Sequence, residues 1–323
     1  MKRHSYIIII SKGVDITMPL FFIGLFLFLM GLESCKIGLN KVSSKKIEEK
    51  IAKTTDKLWV SLLIGILATA ILQSSSALSI IIIGLLEAEL IKFRPALVVM
   101  FGANIGTTFT VQLISLPILS SYHYIIIAGF AFILISYFLK EKLNRKTRLI
   151  GFIIVSFGIV FAGLYMMTEA LNKPIIYSLF KKIIGSLNNN IMLGVFSGAF
   201  TTAIIQSSSA VTGLLVSLTN KNMIQLPLAV AAAMGSNIGT CITAFLASFK
   251  GGKWAKLLAL GHFLFNLFGV VIILFFFNYF IYIIKLSSYL PSRQLANAHL
   301  LFNIFTVVLI IPFFKIILNW LEA

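Results

Sequence analysis

Long apolar runs alternate with short basic ones along this chain. The apolar stretches are Met18 to Met30, Tyr124 to Leu139, Leu149 to Met167, Leu264 to Ile284 and Leu300 to Ile311. Roughly 20 apolar residues cross the hydrocarbon core of a bilayer as a helix, so the pattern predicts membrane-spanning helices. Two regions depart from it. Leu58 to Ile91 and Ile191 to Leu218 are apolar at both ends and polar in the middle, at Gln73-Ser74-Ser75-Ser76 and Gln206-Ser207-Ser208-Ser209. The flanks of the first are about 15 residues each, or roughly 22 Å of helix at 1.5 Å per residue. That falls short of the roughly 30 Å core. Two half-helices meeting at a polar tip inside the membrane fit better than two full crossings.

The polar tips are copies of one another. Thr69-Ala-Ile-Leu-Gln-Ser-Ser-Ser-Ala77 recurs in the second half of the chain as Thr202-Ala-Ile-Ile-Gln-Ser-Ser-Ser-Ala210, with one difference. Gly102-Ala-Asn-Ile-Gly-Thr107 and Gly235-Ser-Asn-Ile-Gly-Thr240 keep the same offset. Repeat one covers 17–140: a span from Thr17 to Leu39, a lysine-rich polar segment from Lys41 to Lys57, the broken hairpin, and spans over Pro95–Leu116 and Tyr122–Leu139. Repeat two covers 149–285: a span from Leu149 to Leu171, a polar segment from Asn172 to Asn190, the second hairpin, and spans over Met223–Ala247 and Ala255–Ile284. A last span, Leu295–Leu318 within 295–320, has no partner in repeat one. A hairpin never flips the chain, so repeat one makes three crossings and repeat two starts from the opposite side. The expected fold is all-α and polytopic. It has two inverted-topology repeats, each with a broken re-entrant helical hairpin, plus a C-terminal extra span, in one transmembrane domain over 1–323.

Composition agrees. The chain is 59% hydrophobic and only 11% charged, where soluble domains carry about 25% charged residues; mean hydropathy is +1.01. The net charge of +17 does not point to nucleic acid, because the Lys and Arg sit in short loops, where they set topology. The side holding Lys36–Lys57, Lys92, Arg94, Lys140–Arg148, Lys250–Lys256 and Lys315 collects 18 of the 27. That side reads as cytoplasmic, with the N-terminus outside and the C-terminus inside a cell membrane; Lys2, Arg3 and Lys12 go against this locally. Cys35 and Cys241 give neither a disulfide framework nor metal spacing. Met1 to His4 followed by Tyr6 to Ile10 resembles a signal peptide, but the apolar run is short and Ser11-Lys12 interrupts it, so no cleavage is expected.

The polar motifs carry the chemistry. A half-helix starting inside Gln-Ser-Ser-Ser has unpaired first-turn N–H groups and positive dipole potential. With the Ser hydroxyls and the Gln amide these make an anion cradle. Two facing tips could surround a tetrahedral oxyanion. The competing reading is small residues packing helices closely. Asn104, Thr107 and Thr108, with Asn237, Thr240 and Thr243, supply oxygen acceptors, and the glycines are expected to open backbone carbonyls; Na⁺ takes such oxygen ligands, as unwound transporter helices provide. Here the competing reading is a glycine packing seam with capping Asn. No Lys or Arg lies near either motif in sequence, so co-bound Na⁺ would supply the counter-charge. His262 and Asn266, and His299 and Asn303, form i, i+4 pairs that either serve function or fix packing by interhelical hydrogen bonds. His4 and His123 are expected at the interface, Glu33 and Glu169 to snorkel toward it, and Asn188–Asn190 and Ser43–Ser44 to be solvated.

These residues resemble the sodium/phosphate cotransporter family, the type II group with its bacterial relatives. The family signature is a repeated Gln-Ser-Ser-Ser in two inverted halves, followed by Gly-Ala-Asn-Ile-Gly-Thr-Thr. Here that is Gln73–Ser76, Gln206–Ser209, Gly102–Thr108 and, degenerate at Ser236 and Cys241, Gly235–Cys241. Gly24-Leu-Phe-Leu-Phe-Leu-Met-Gly-Leu32 and the His-x-x-Phe-Asn helices are similar to the family too. The resemblance implies Na⁺-driven movement of inorganic phosphate by alternating access. Phosphate would lie at Gln73, Ser74, Ser75, Ser76, Gln206, Ser207, Ser208 and Ser209, with Na⁺ beside it as coupling ion and no other cofactor. Some bacterial members carry a C-terminal PhoU-like domain. This sequence stops at Ala323, so such a regulator is expected, if at all, on another chain. Oligomeric state is not readable.

Other functions compete. Neutral donors also bind sulfate or arsenate. An intramembrane serine hydrolase using Ser75 or Ser208 with His262 or His299 would gain nothing from a duplicated Ser cluster, and no Gly-x-Ser-x-Gly turn is present. A channel would differ from a carrier by flux that neither saturates nor requires Na⁺.

Overall fold

The computed structural model describes residues 17–52, 57–314, 316 and 318. The expectations for Met1 to Lys12, His4 included, and for the Ser43 and Ser44 side chains lie outside the described residues. Among the described residues there are α-helices and short 3₁₀ turns, with no strand. The helices are α1 (Thr17–Ala52), α2 (Leu58–Leu72), α3 (Ser75–Glu87), α4 (Phe93–Ile114), α5 (Tyr122–Ser136), α6 (Glu141–Ala170), α7 (Pro174–Gly185), α8 (Ile191–Ile205), α9 (Ser208–Asn220), α10 (Leu226–Ser248), α11 (Lys253–Phe275), α12 (Phe277–Leu286) and α13 (Pro291–Ile310). Six segments, in α1, α4, α6, α10, α11 and α13, are long and apolar enough to cross a membrane. The protein is an all-α, multi-pass membrane protein.

The breaks fall where the polar tips lie. At 15 and 13 residues, α2 and α3 are each too short to span; α8 and α9 repeat those lengths. Each hairpin packs its first arm along the following long helix. A Cβ on Gly65 would strike the Val99 carbonyl, and one on Gly102 the Leu62 carbonyl; Gly198 and Gly235 meet Ala232 and Val195 in the same way. Glycine is required here because the two backbones touch. This is also what the glycines of the Asn-Ile-Gly-Thr motif do. They do not open carbonyls: α4 and α10 run unbroken through the motif.

A second glycine seam joins α1 to α6. Gly24 meets Met167 and Gly163, Gly31 meets Val160 and Ser156, and Gly38 meets Ile153. Numbers rise on one helix as they fall on the other, so the two run antiparallel. Gly163 in turn packs on Phe28 and Gly24, which repeats the Gly31 contact with the helices exchanged.

Three elements differ from the sequence reading. The lysine-rich segment Lys41–Lys57 is helical as far as Ala52, as an extension of α1. Ile47 and Ile51, one turn apart, are buried in the cluster that holds Ile82 and Ile83, and this apolar stripe carries the helix beyond its membrane part. The polar segment Asn172–Asn190 contains α7, started by Pro174 at its first position. Its Ile176 is buried, and Phe180 lies 5.1 Å from Phe21 of α1, ring centre to ring centre. The Ala255–Ile284 span divides at Phe276 into α11 and α12; no glycine or proline marks that break.

Candidate functional site

Each tip is a two-residue reversal. Gln73 closes α2 in the left-handed conformation (φ 53°), its N–H on the Thr69 carbonyl at 2.7 Å. Ser74 then returns to extended backbone, and its hydroxyl caps α3 by accepting the Ala77 N–H at 3.1 Å. Gln206 (φ 57°) and Ser207 repeat both steps, with Ser207 accepting the Ala210 N–H at 3.3 Å. A side-chain residue held left-handed is costly outside glycine, and the same cost is carried at the same position of both copies. The first-turn N–H groups of Ser75, Ser76, Ser208 and Ser209 have no carbonyl partner within their helices. They are donors placed at positive helix ends. The tips meet: the Ser76 hydroxyl donates to the Gln206 carbonyl at 3.4 Å.

The two glutamines differ in setting. Gln73 is half-buried; its amide donates to the Ala70 carbonyl at 2.6 Å, and its oxygen accepts from the Thr110 hydroxyl. Gln206 is exposed to a cleft of about 420 Å³ that is also lined by Ser76, Thr243, Ile80 and Gly84. Among the described residues no charged side chain lines it. Thr110 was missed from sequence, although it is the first-copy counterpart of Thr243 and the repeat offset alone would have found it.

The Asn-Ile-Gly-Thr residues go elsewhere. Asn104 donates to the Asn266 oxygen at 2.8 Å, and its own oxygen faces His262 Nε2 at 3.0 Å. Asn237 does the same with Asn303 at 2.9 Å and His299 at 2.9 Å. Asn266 and Asn303 complete each cluster by donating to the carbonyls of His262 and His299, at 3.0 and 2.7 Å. In one cluster Asn266 also donates to Cys241 Sγ at 3.3 Å. All six side chains are buried. The clusters lock α11 onto α4 and α13 onto α10. The last span therefore carries the same His-to-Asn step as α11 and uses it in the same way on the other copy's helix. The hydroxyls of Thr107, Thr108, Thr240 and Thr243 each donate to a carbonyl of their own helix, at 2.7–2.9 Å, which leaves their oxygen lone pairs unspent. Of these, Thr243 reaches the cleft. His123 is exposed among Tyr122 and Tyr124; Glu33 pairs with Lys36 at 3.0 Å and Glu169 with Lys221 at 3.7 Å. Asn190 caps α8 by accepting the Leu193 N–H.

The Na⁺/Pi-cotransporter family profile matches the chain twice, over residues 27–169 and 166–309. YqeW of Bacillus subtilis, an uncharacterised protein, is 34% identical over 247 residues, 76% of this chain and 78% of its own length. YjbB of Salmonella typhimurium, named for inorganic phosphate export, is 27% identical over 248 residues, 77% of this chain but only 45% of its own length. Sodium-dependent phosphate transport protein 2C of Mus musculus is 39% identical over 84 residues, 25% of this chain and 14% of its own length. No solved structure matches significantly. With both profile matches in place and the tips, seams and clusters occurring twice, the chain belongs to the Na⁺/Pi-cotransporter family and is a transporter rather than an enzyme.

Proposed function

We propose that this protein carries inorganic phosphate together with Na⁺ across the cell membrane by alternating access, at a site formed where the two Gln-Ser-Ser-Ser tips meet. The carrying observation is the contact between the tips, Ser76 to Gln206, beside a cleft lined by neutral polar groups. Serine hydroxyls, glutamine amides and first-turn N–H groups from Gln73–Ser76 and Gln206–Ser209 would hold the tetrahedral anion. Neutral donors leave its charge uncompensated, and Na⁺ on the threonine oxygens beside the tips, Thr243 foremost, would balance it. That charge balance is the coupling. Asn104 and Asn237, with their oxygens facing histidines, serve in this reading to position α11 and α13 rather than to bind Na⁺. The antiparallel α1 and α6 support halves of opposite orientation. The side bearing Lys92 and Lys250–Lys256 is taken as cytoplasmic. The names of the relatives, one for export and one for sodium-dependent transport, both concern phosphate. A carrier's net direction is set by its gradients, not by its site.

The test is radiolabelled phosphate uptake into proteoliposomes with and without an inward Na⁺ gradient, with sulfate and arsenate as competitors. Saturable, Na⁺-dependent uptake is expected, abolished by Gln73→Ala and by Gln206→Ala while both variants remain folded. Equal uptake without Na⁺ overturns the coupling. Near-normal uptake in either variant overturns the two-tip site, and sulfate carried in place of phosphate changes the substrate.

A further inference from the structure

The tips can be approached from two sides, and the structure treats the sides differently. The cleft lies along α3 and α10, and one turn beyond its Gly84, Glu87 accepts the Gly252 N–H at 2.9 Å. There Gly84 is exposed, and a Cβ on it would meet nothing within 4 Å. Its counterpart in the second copy, Ser217, is fully buried. On that second side Phe28 of α1 fills the space: a Cβ on Gly213, the counterpart of Ile80, would strike the Phe28 ring and lie 3.2 Å from Ile114. One mouth is open and the other shut.

A cationic side chain stands at each mouth. At the shut mouth Arg293 of α13 donates to the Gln112 carbonyl at 2.8 Å and to the Ser115 hydroxyl at 2.9 Å, on the last turn of α4. Ser115 itself donates to the Gln112 carbonyl at 3.0 Å. The same acceptor pair stands at the open mouth, at the equivalent positions of the second copy: the Ser248 hydroxyl donates to the Phe245 carbonyl at 3.0 Å, on the last turn of α10. The equivalent of Arg293, six residues before its histidine, is Lys256 of α11, six before His262. Lys256 is exposed and its side chain makes no hydrogen bond or ion pair among the described residues. Helix C-termini attract such cations through their unpaired carbonyls and dipole. Arg293 therefore occupies a seat whose twin, within reach of Lys256 by pseudo-symmetry, is vacant.

We propose that Arg293 and Lys256 are alternating latches: the mouth that is shut has its cation seated on the carbonyl–serine pair, and the mouth that is open has its cation released. The proposal rests on the alternating-access reading, but its test needs no transport. Gly84→Cys and Ser217→Cys serve as reporters of the two mouths, read by the rate of reaction with a water-soluble maleimide in detergent-purified protein. Cys35 and Cys241 are buried, and the unsubstituted protein measures their background. Gly84→Cys is expected to react fast and Ser217→Cys slowly. Arg293→Gln raises the Ser217→Cys rate roughly tenfold, the weight of one hydrogen bond to a charged group, without raising the reaction of Cys35 or Cys241. Arg293→Lys raises it less. Adding Lys256→Gln to Arg293→Gln brings the rate back toward the parent, because the opposite closed state has then lost its latch as well. A Ser217→Cys that stays protected in Arg293→Gln overturns the role of Arg293. A double variant as reactive as Arg293→Gln alone overturns that of Lys256. Loss of phosphate uptake in the proteoliposome assay with the labelling pattern intact would strike the function and leave the latches standing.

Discussion

Replacing Asn237 by Leu tests what the buried Asn–His clusters are for. Asn237 makes two bonds across helices, donating to Asn303 at 2.9 Å and accepting from His299 at 2.9 Å. Interhelical hydrogen bonds in membranes average about 0.6 kcal/mol and reach about 1.7, so losing both costs about 1–3 kcal/mol. The substitution also leaves the Asn303 oxygen and the His299 N–H buried without partners, which moves the cost toward the upper end. Changing Asn237, His299 and Asn303 together to Leu leaves no orphan, and so costs less than the three single changes summed. Unfolding titrations in mixed micelles measure all of these. Asn104→Leu should match Asn237→Leu within about 0.5 kcal/mol, because its two bonds have the same kinds of partner and nearly the same lengths. The losses should be equal in Na⁺ and in choline medium. A cost that is present only in Na⁺ would refute the packing role and return Asn237 to the ion site; the absence of any measurable cost would refute the bonds themselves.

Three further outcomes follow from the geometry. Gly235→Ala places a Cβ against the Val195 carbonyl and should destabilise by about 1–3 kcal/mol in the same titration, whereas Gly84→Ala, into open space, should be neutral or stabilising by up to about 1 kcal/mol; equal effects would contradict the seam. The Thr202 hydroxyl is buried without a partner among the described residues, so Thr202→Val should not lower stability, and a loss above about 1 kcal/mol, the worth of a typical hydrogen bond, would reveal a bond the fold does not show. Thr110→Val releases the Gln73 amide oxygen and should cost about 0.5–1.5 kcal/mol, while Thr243→Val, whose hydroxyl bonds only its own helix, should cost less; the reverse order would mean that Gln206, not Gln73, is the tethered glutamine.

The tips were legible because their chemistry is local. Gln at a helix end followed by Ser as the next cap needs only neighbouring residues, and two short flanks fix the break between them. The constant offset between the copies carries the rest of the doubling, Thr110 included, since it stands at that offset from Thr243. The packing of the Asn-Ile-Gly-Thr motif was hidden because its glycines and asparagine answer to partners far along the chain. Gly102 is explained by Leu62, and Asn104 by His262 and Asn266, 158 and 162 residues away. Nothing in a single helix distinguishes a glycine that opens a carbonyl from one that admits a neighbouring backbone. The extension of α1 was readable in Ile47 and Ile51, whose one-turn spacing was masked by the surrounding lysines. The division at Phe276 has no local sign.

The open and shut mouths could not be read from sequence for a different reason. Two copies that share eight of nine tip residues have no local means of adopting different conformations, yet the Gln73 side chain is tethered to Ala70 and Thr110 while that of Gln206 has no such bond among the described residues. The difference must come from positions where the copies diverge or from what each copy packs against. Three such positions stand at the mouths: Arg293 against Lys256, Gly213 against Ile80, and Phe28, which occupies the space that Gly213 leaves and has no side chain lining the opposite cleft in its place. Arginine can bridge a carbonyl and a hydroxyl from one planar fork, whereas lysine offers a flexible point charge. The seated arginine and the buried phenyl ring both favour closure of the same mouth. If the halves alternate as proposed, the near-identity of the tips would keep the two arrangements close in energy, and these few unlike residues would set which of them is favoured.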